Sequence, residues 1–204
     1  MSMSKYTVDV PEGVSGIWKV SRFSVGAKDA QWGALFGKGR HVPQGTYTAL
    51  HRGGTIVMSD TPDEIRDHLF AVGAAKGHCL VVGLGLGMVA QAMLSKPEVE
   101  HVTIIEKSPD VIQLVGPWLS AKFPGRVTII EADVLKWEPP KGARWDVAWF
   151  DIWDNICADN LDEMKVLHRK FGRRAGWKGS WARERCELQA AQWARSPWNR
   201  AASR

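Results

Sequence analysis

Cysteine is scarce in this chain. Cys79, Cys157 and Cys186 are the only three among 204 residues. They lie far apart, with no CxxC pair and no Cys/His cluster, so neither a disulfide framework nor a zinc site is suggested. Buried thiols in a reducing compartment are expected instead. Long apolar runs are also missing. The longest nearly apolar stretch, Cys79 to Leu94, spans sixteen residues and carries three glycines. A membrane helix needs about 20 apolar residues. The first ten residues hold no apolar signal core. These absences point to a cytoplasmic protein with no membrane partner. Internal repeats are absent as well. Hydrophobic content of 45% and charged content of 24% are ordinary for a globular chain. The length suits one domain, or one domain with a small appendage.

The net charge of +5 is uneven. From Lys165 to Arg204 there are eleven Lys/Arg against two Asp/Glu, and sixteen against twenty elsewhere. The basic excess belongs to the C-terminal fifth.

Hydrophobic periodicity and turn chemistry divide the chain into 1–59, an arm and β-hairpin region; 60–160, an α/β core; and 161–204, a basic Trp-rich helical segment packed on the same domain. Residues 1–16 read as a loose arm and 26–45 as loop. Strands at 17–25, 46–52 and 55–59 are expected, the last two around a Gly53-Gly54 turn. Thr61, Pro62 and Glu64 form a capping-box pattern that opens a helix running to about Ala75. Strand 79–83 and helix 87–95 follow, then strand 101–106. Ser108-Pro109 opens a helix carrying Val111, Ile112, Val115 and Trp118 on one side. Strands at 126–130 and 145–150 come next. Asn160 is placed to cap a helix over 161–171, and a last helix starts after Ser180 and fades near Ser196-Pro197.

Strands alternating with helices imply an α/β fold with a parallel sheet, of expected order 3-2-1-4. No fifth strand is legible after 161–171, so the sheet is expected to be truncated there, with strands of the N-terminal hairpin in compensation.

The most informative run is Leu80-Val81-Val82-Gly83-Leu84-Gly85-Leu86-Gly87-Met88. An apolar strand enters a turn with three alternating glycines and leaves as a helix. His101-Val102-Thr103-Ile104-Ile105-Glu106 then ends on an acid nineteen positions beyond Gly87. An acid there is placed to take two ribose hydroxyls, the logic of Rossmann-like nucleotide sites. The GxGxG spacing differs from GxGxxG and resembles S-adenosylmethionine (SAM) folds. Strand ends deliver Gly83–Gly87, Glu106, Asp133 and Asp151 to one crevice. Such acids suit a ribose, an adenine amine and a cationic tail better than phosphates. Bland alternatives stand beside these readings: Glu106 as an exposed strand end, Asp133 as a cap for Val134-Leu135-Lys136-Trp137, and Asp151-x-x-Asp154 as an ordinary loop pattern.

From about Tyr47 to Asp154 the chain resembles the spermidine synthase-like branch of class I SAM-dependent methyltransferases. The resemblance is carried by Val82–Gly87, by Ile105-Glu106-Lys107-Ser108-Pro109-Asp110, by Ala132-Asp133, and by Trp145-Asp146-Val147-Ala148-Trp149-Phe150-Asp151-Ile152-Trp153-Asp154. Upstream, Gly54–Ser59 and Asp63–His68 resemble that branch's N-terminal strand and first helix. The resemblance implies a transferase acting on a small, amine-type acceptor. It implies SAM or decarboxylated SAM held by Gly83, Leu84, Gly85, Gly87, Glu106, Lys107, Asp133, Val134 and His68. Asp151 would be the base facing the amine, and Asp154 would hold the amine's far end. No metal is implied. The departures are specific. Aminopropyltransferases carry an acid at Leu86, a glutamine at Val57 and a tyrosine at Asp67. The usual methyltransferase acid at Val81 is absent, as is the Asn/Asp-Pro-Pro-Tyr motif. The alternatives are an aminopropyltransferase, or a non-catalytic binding or assembly protein that keeps the fold.

In the C-terminal segment, Trp177, Trp181, Trp193 and Trp198 are interleaved with Arg169, Lys170, Arg173, Arg174, Lys178, Arg183, Arg185, Arg195 and Arg200. Such a pattern can track phosphates and stack on bases, so nucleic acid is one partner to weigh. The preferred reading has the tryptophans covering the sheet or a contact in a homo-oligomer, with the charges solvated.

Overall fold

Two sheets share one core. In the computed structural model, which describes residues 5–36 and 41–195, the first sheet is antiparallel and follows chain order. Its strands are β1 (Gly13–Ser15), β2 (Trp18–Val25), β3 (Gly45–Arg52) and β4 (Thr55–Ser59). β3 and β4 join through Gly53-Gly54, both at positive φ, the conformation a two-residue turn between twisted strands requires.

The second sheet is parallel throughout: β5 (Gly77–Val82), β6 (Val99–Glu106), β7 (Val127–Glu131), β8 (Trp145–Phe150) and β9 (Ala175–Ser180), in spatial order β7-β6-β5-β8-β9. This is a Rossmann-like α/β sheet, and its first four strands stand in the expected order 3-2-1-4. The expected truncation is wrong. β9 pairs with β8 from Trp145↔Ala175 to Phe150↔Ser180 and completes a fifth strand. Its sequence, Ala-Gly-Trp-Lys-Gly-Ser, has two glycines and no β-branched residue, so its strand state comes from pairing and burial rather than propensity.

Side chains alternate between two buried faces. Cys79, Val81, Val147 and Trp149 enter one hydrophobic cluster, and Leu80, Val82, Ala148 and Phe150 the other. That is strand periodicity read in three dimensions. Parallel strands covered on both faces read as unbroken apolar runs, which is why 79–82 and 147–150 have no polar alternation. The first cluster takes α2 (Pro62–Ala74), α3 (Met88–Leu94) and α4 (Pro109–Lys122), together with Val20 and Leu50 of the antiparallel sheet. The second takes α5 (Asn160–Lys170) and Cys186 of α6 (Arg183–Arg195).

The N-terminal arm is not loose over its described part. Tyr6, Val8 and Val10 are buried in the first cluster. Buried Asp60 accepts from the N–H groups of Thr48 (2.7 Å) and Val8 (3.1 Å), and Gln91 of α3 donates to the carbonyls of Lys5 and Thr7. Isolated apolar residues spaced by two lacked a helix or turn signal beside them, so the sequence concealed this strand-like packing. Within 26–45, expected as loop, α1 (Ala27–Phe36) forms. Its alanines and leucine favour helix, while the Gly-Lys-Gly-Arg signal sits at 37–40, outside the described residues.

Helix starts are partly as expected. Ser108 accepts from the Val111 N–H at 3.4 Å. Thr61 makes no side-chain cap bond. Glu64 reaches past it to the Ser59 N–H and hydroxyl at 2.7 and 3.0 Å, so the reciprocal box is replaced by a link from α2 to the end of β4. Asn160 is not the cap either. Asp159 flanks α5, and the Asn160 amide instead donates to the Asn155 carbonyl. Among the described residues no helix is long and apolar enough to cross a membrane.

A candidate cofactor and acceptor cavity

β5 lies at the switch in the sheet, with β6 on one side and β8 on the other. Ligands in open α/β sheets bind beyond the carboxyl ends of the strands at this point. A cavity of about 700 Å³ opens there, roofed by the antiparallel sheet. Its volume is within the usual range for small-molecule sites.

The glycine turn between β5 and α3 forms its floor. Gly83 has φ 97°, and a Cβ on it would stand 2.0 Å from the Asp151 carbonyl oxygen. Only glycine lets the β5 and β8 strand ends approach this closely. Gly85 lies under Met58 of β4, whose sulfur accepts from the Leu86 N–H at 3.3 Å. Gly83, Leu84 and Gly85 line the cavity, whereas Gly87 faces Trp118, Val115 and Leu119 behind the turn.

Glu106 ends β6 beside this turn. One carboxylate oxygen accepts from the Leu84 N–H and the other from the Ser108 N–H, each at 2.8 Å. It is therefore a fixed bridge between the glycine turn and the start of α4, and each oxygen retains acceptor capacity. Lys107 pairs with Asp133 at 3.2 Å. Asp133 also takes the Leu135 N–H at 3.1 Å, the local capping role, and the Trp137 N–H bonds its carbonyl. Burial raises the Asp133 pKa, but the Lys107 and Leu135 hydrogen bonds outweigh it and leave the carboxyl below its ordinary value. Glu106, Lys107, Asp133 and Val134 all line the cavity.

The other end is more acidic and more aromatic. Asp151 leaves β8 with its side chain 19% exposed, 3.8 Å from His68 of α2. Burial, and then the charges of Glu64, Asp67 and Asp154, push the Asp151 pKa up to about 8. His68 is held near 4, first by burial and then by Arg185, against the opposing charge of Asp67. At neutral pH the pair is thus a protonated carboxyl beside a neutral imidazole. The His68 Nδ1 is buried and has no hydrogen-bond partner among the described residues. Asp154 is ion-paired with Arg52 of β3, at the rim.

Sequence reasoning missed several lining residues. Trp18 and Arg52 come from the antiparallel sheet, and Glu64 and Asp67 from α2. Asp67 is ion-paired with Arg185 of α6, which also lies over the Trp181 ring. Trp153 lines the wall with its indole N–H donated to Glu163 at 2.8 Å, and Trp181 lines it from beyond β9. Glu64, Asp67 and Trp153 lie within the Asp63–His68 and Trp145–Asp154 segments, but nothing local marks them as lining; only long-range packing joins them to Trp18, Arg52 and Trp181. The C-terminal tryptophans divide. Trp177 stacks on Trp149 with ring centroids 6.4 Å apart, Trp181 packs against both hydrophobic clusters, and Trp193 is exposed. Trp198 and Arg200 lie outside the described residues. Among the described residues no group of three His, Cys, Asp or Glu side chains is arranged for a metal ion.

No protein-family model and no curated protein matches this chain. Solved structures of similar shape include the methyltransferase CcbJ of Streptomyces caelestis, at 22% identity over 57% of this chain and 47% of that one, with TM-score 0.45. Another is the N-methyltransferase NodS of Bradyrhizobium japonicum in complex with S-adenosyl-L-homocysteine, at 14% identity over 56% and 57%, with TM-score 0.44. A third is a dimethyladenosine transferase of Plasmodium falciparum, at 20% identity over 53% and 38%, with TM-score 0.41. In each, the match spans less than two thirds of the solved chain.

Proposed function

We propose that this chain is a SAM-dependent transferase of the spermidine synthase-like kind, acting on a small amine acceptor. The observation that carries the reading is Glu106, held by the Leu84 and Ser108 N–H groups against a glycine turn at the sheet's switch point. The residues present fit SAM. Glu106 has acceptor capacity for ribose hydroxyls, and Asp133 and Val134 stand beside it for the adenine. The far end holds carboxylates and three tryptophan rings for a cationic tail and acceptor. An organic cation is attracted both to carboxylates and to the faces of tryptophan rings.

The bound sulfonium would supply an activated alkyl carbon. The chain's own residues then have modest tasks: to align, to exclude water and to manage one proton. Asp151, protonated at neutral pH, becomes a proton acceptor once a cationic ligand or higher pH removes its proton. It then faces an amine that must be neutral to act as nucleophile. His68, kept neutral, adds no opposing charge beside that step. Asp154 is the second carboxylate for the amine.

Methyl transfer is preferred over aminopropyl transfer because Leu86, where aminopropyltransferases carry an acid, is fully buried in the core. The non-catalytic alternative rests on missing later strands and on the basic C-terminal segment, and β9 removes the first of these. The test is incubation of the protein with a panel of amines and either SAM or decarboxylated SAM, followed by mass spectrometry. A methylated amine supports the proposal, an aminopropylated one selects the alternative, and no product with either donor contradicts transfer to amines.

A further inference from the structure

The cavity rim carries a cation that the chemistry above leaves unused. Arg52 pairs with Asp154, and the two side chains are 45% and 44% exposed. Its guanidinium carbon also lies 5.6 Å from the centroid of the Trp18 ring. Arg52 is the last residue of β3, directly before Gly53-Gly54, where an added Cβ would meet nothing within 4 Å among the described residues. So a cation on a hairpin tip spans from the antiparallel sheet to the β8 loop and occupies the carboxylate that an amine would use.

We propose that Arg52 is a specificity-determining residue for the acceptor: it covers Asp154 until a second cation replaces it there, and the displaced guanidinium rests on Trp18. This rests on the amine-acceptor reading. Three physical points support the exchange. An exposed ion pair is weakly held, so a competing cation displaces it readily. The Trp18 face already contacts the guanidinium, so the displaced charge keeps a favourable partner. A neutral molecule brings no charge to replace Arg52 on Asp154, and an anion would be repelled by that carboxylate once Arg52 left it. The rim therefore selects by exchange of like charge rather than by shape.

Two measurements test this. In the first, 1,5-diaminopentane and the neutral 1,5-pentanediol are titrated calorimetrically into wild type and Arg52→Ala. The diamine should bind about two- to five-fold more tightly to Arg52→Ala, the range set by the strength of exposed ion pairs, and the diol should show no change. The second needs no acceptor. Ala132→Cys, at a position that lines the cavity, is combined with Cys157→Ser, and its labelling rates by a cationic and a neutral methanethiosulfonate are compared. Arg52→Ala should raise the cationic-to-neutral rate ratio by about the same two- to five-fold. The ratio cancels any general loosening of the fold. An unchanged ratio overturns the role of Arg52, as does unchanged or weaker diamine binding in Arg52→Ala. A raised ratio without diamine binding in either protein supports charge exchange at the rim and overturns the amine-acceptor reading instead.

Discussion

Asp151→Asn should make the protein more stable, and increasingly so as the pH rises. The Asp151 carboxyl titrates at about 8 in the folded chain, against 3.8 as its ordinary value. Burial is the main cause, and Glu64, Asp67 and Asp154 add to it. A folded pKa above the unfolded one means that the native state binds this proton more tightly. Its contribution is then complete below about pH 4 and is lost as the pH climbs through about 8. Each unit corresponds to about 1.36 kcal/mol. We discount this because the side chain keeps 19% exposure, and solvent screening lowers such figures. The wild type should then lose about 2 kcal/mol between pH 5 and 7 relative to Asp151→Asn, whose amide has nearly the same shape and no proton to lose. Urea unfolding of both proteins at pH 5, 6, 7, 8 and 9 measures the difference directly, and titrating groups remote from Asp151 cancel in it. The gap should widen steadily to pH 8 and then level. A gap constant to within about 0.3 kcal/mol across that range would refute a protonated, buried Asp151.

The remaining predictions follow from single contacts. Gly83→Ala puts a Cβ 2.0 Å from the Asp151 carbonyl at a positive φ, and should cost about 3 kcal/mol or more; thermal melting near that of the wild type would contradict it. Glu106→Ala removes a carboxylate that bridges the Leu84 and Ser108 N–H groups. It should weaken S-adenosylhomocysteine binding by about 1–3 kcal/mol, and an unchanged dissociation constant makes Glu106 a bystander. Trp177→Ala removes a ring stacked on Trp149 and should destabilise the fold by about 2–4 kcal/mol. The same substitution should leave the weak, salt-sensitive binding of single-stranded RNA unchanged, whereas tight binding at physiological salt that disappears in Trp177→Ala would make nucleic acid the partner.

The core of the fold was legible because its signals are local. The apolar runs at 79–82 and 147–150, the glycines that break them, and Ser108-Pro109 at a helix start each declare an element within a few residues. The same locality explains the expected crevice: strand order places Gly83, Glu106, Asp133 and Asp151 at one sheet end whatever the details of packing. What escaped the sequence depends on distant partners. β9 is a strand because β8 offers an unpaired edge, not because Ala-Gly-Trp-Lys-Gly-Ser favours extended backbone. Tyr6, Val8 and Val10 are ordered by Asp60 and Gln91, more than fifty residues away. In the cavity, the carboxylates were visible but their states were not. Asp151 holds its proton because packing buries it and, secondarily, because Glu64 and Asp67 arrive from α2, and Asp154 is covered because Arg52 arrives from a hairpin a hundred residues earlier.

If the reading above holds, the cavity over the glycine turn takes a sulfonium nucleoside. Calorimetric titration of the folded protein with SAM, S-adenosylhomocysteine and decarboxylated SAM tests it most directly. Saturable binding of at least one of them is expected, weakened in Glu106→Ala. Proton release is also expected when SAM binds at pH 7, because a cation beside Asp151 lowers a pKa that starts near 8; the release is read from the dependence of the measured heat on the buffer's ionisation enthalpy. No binding of any of the three at millimolar concentration would contradict the account.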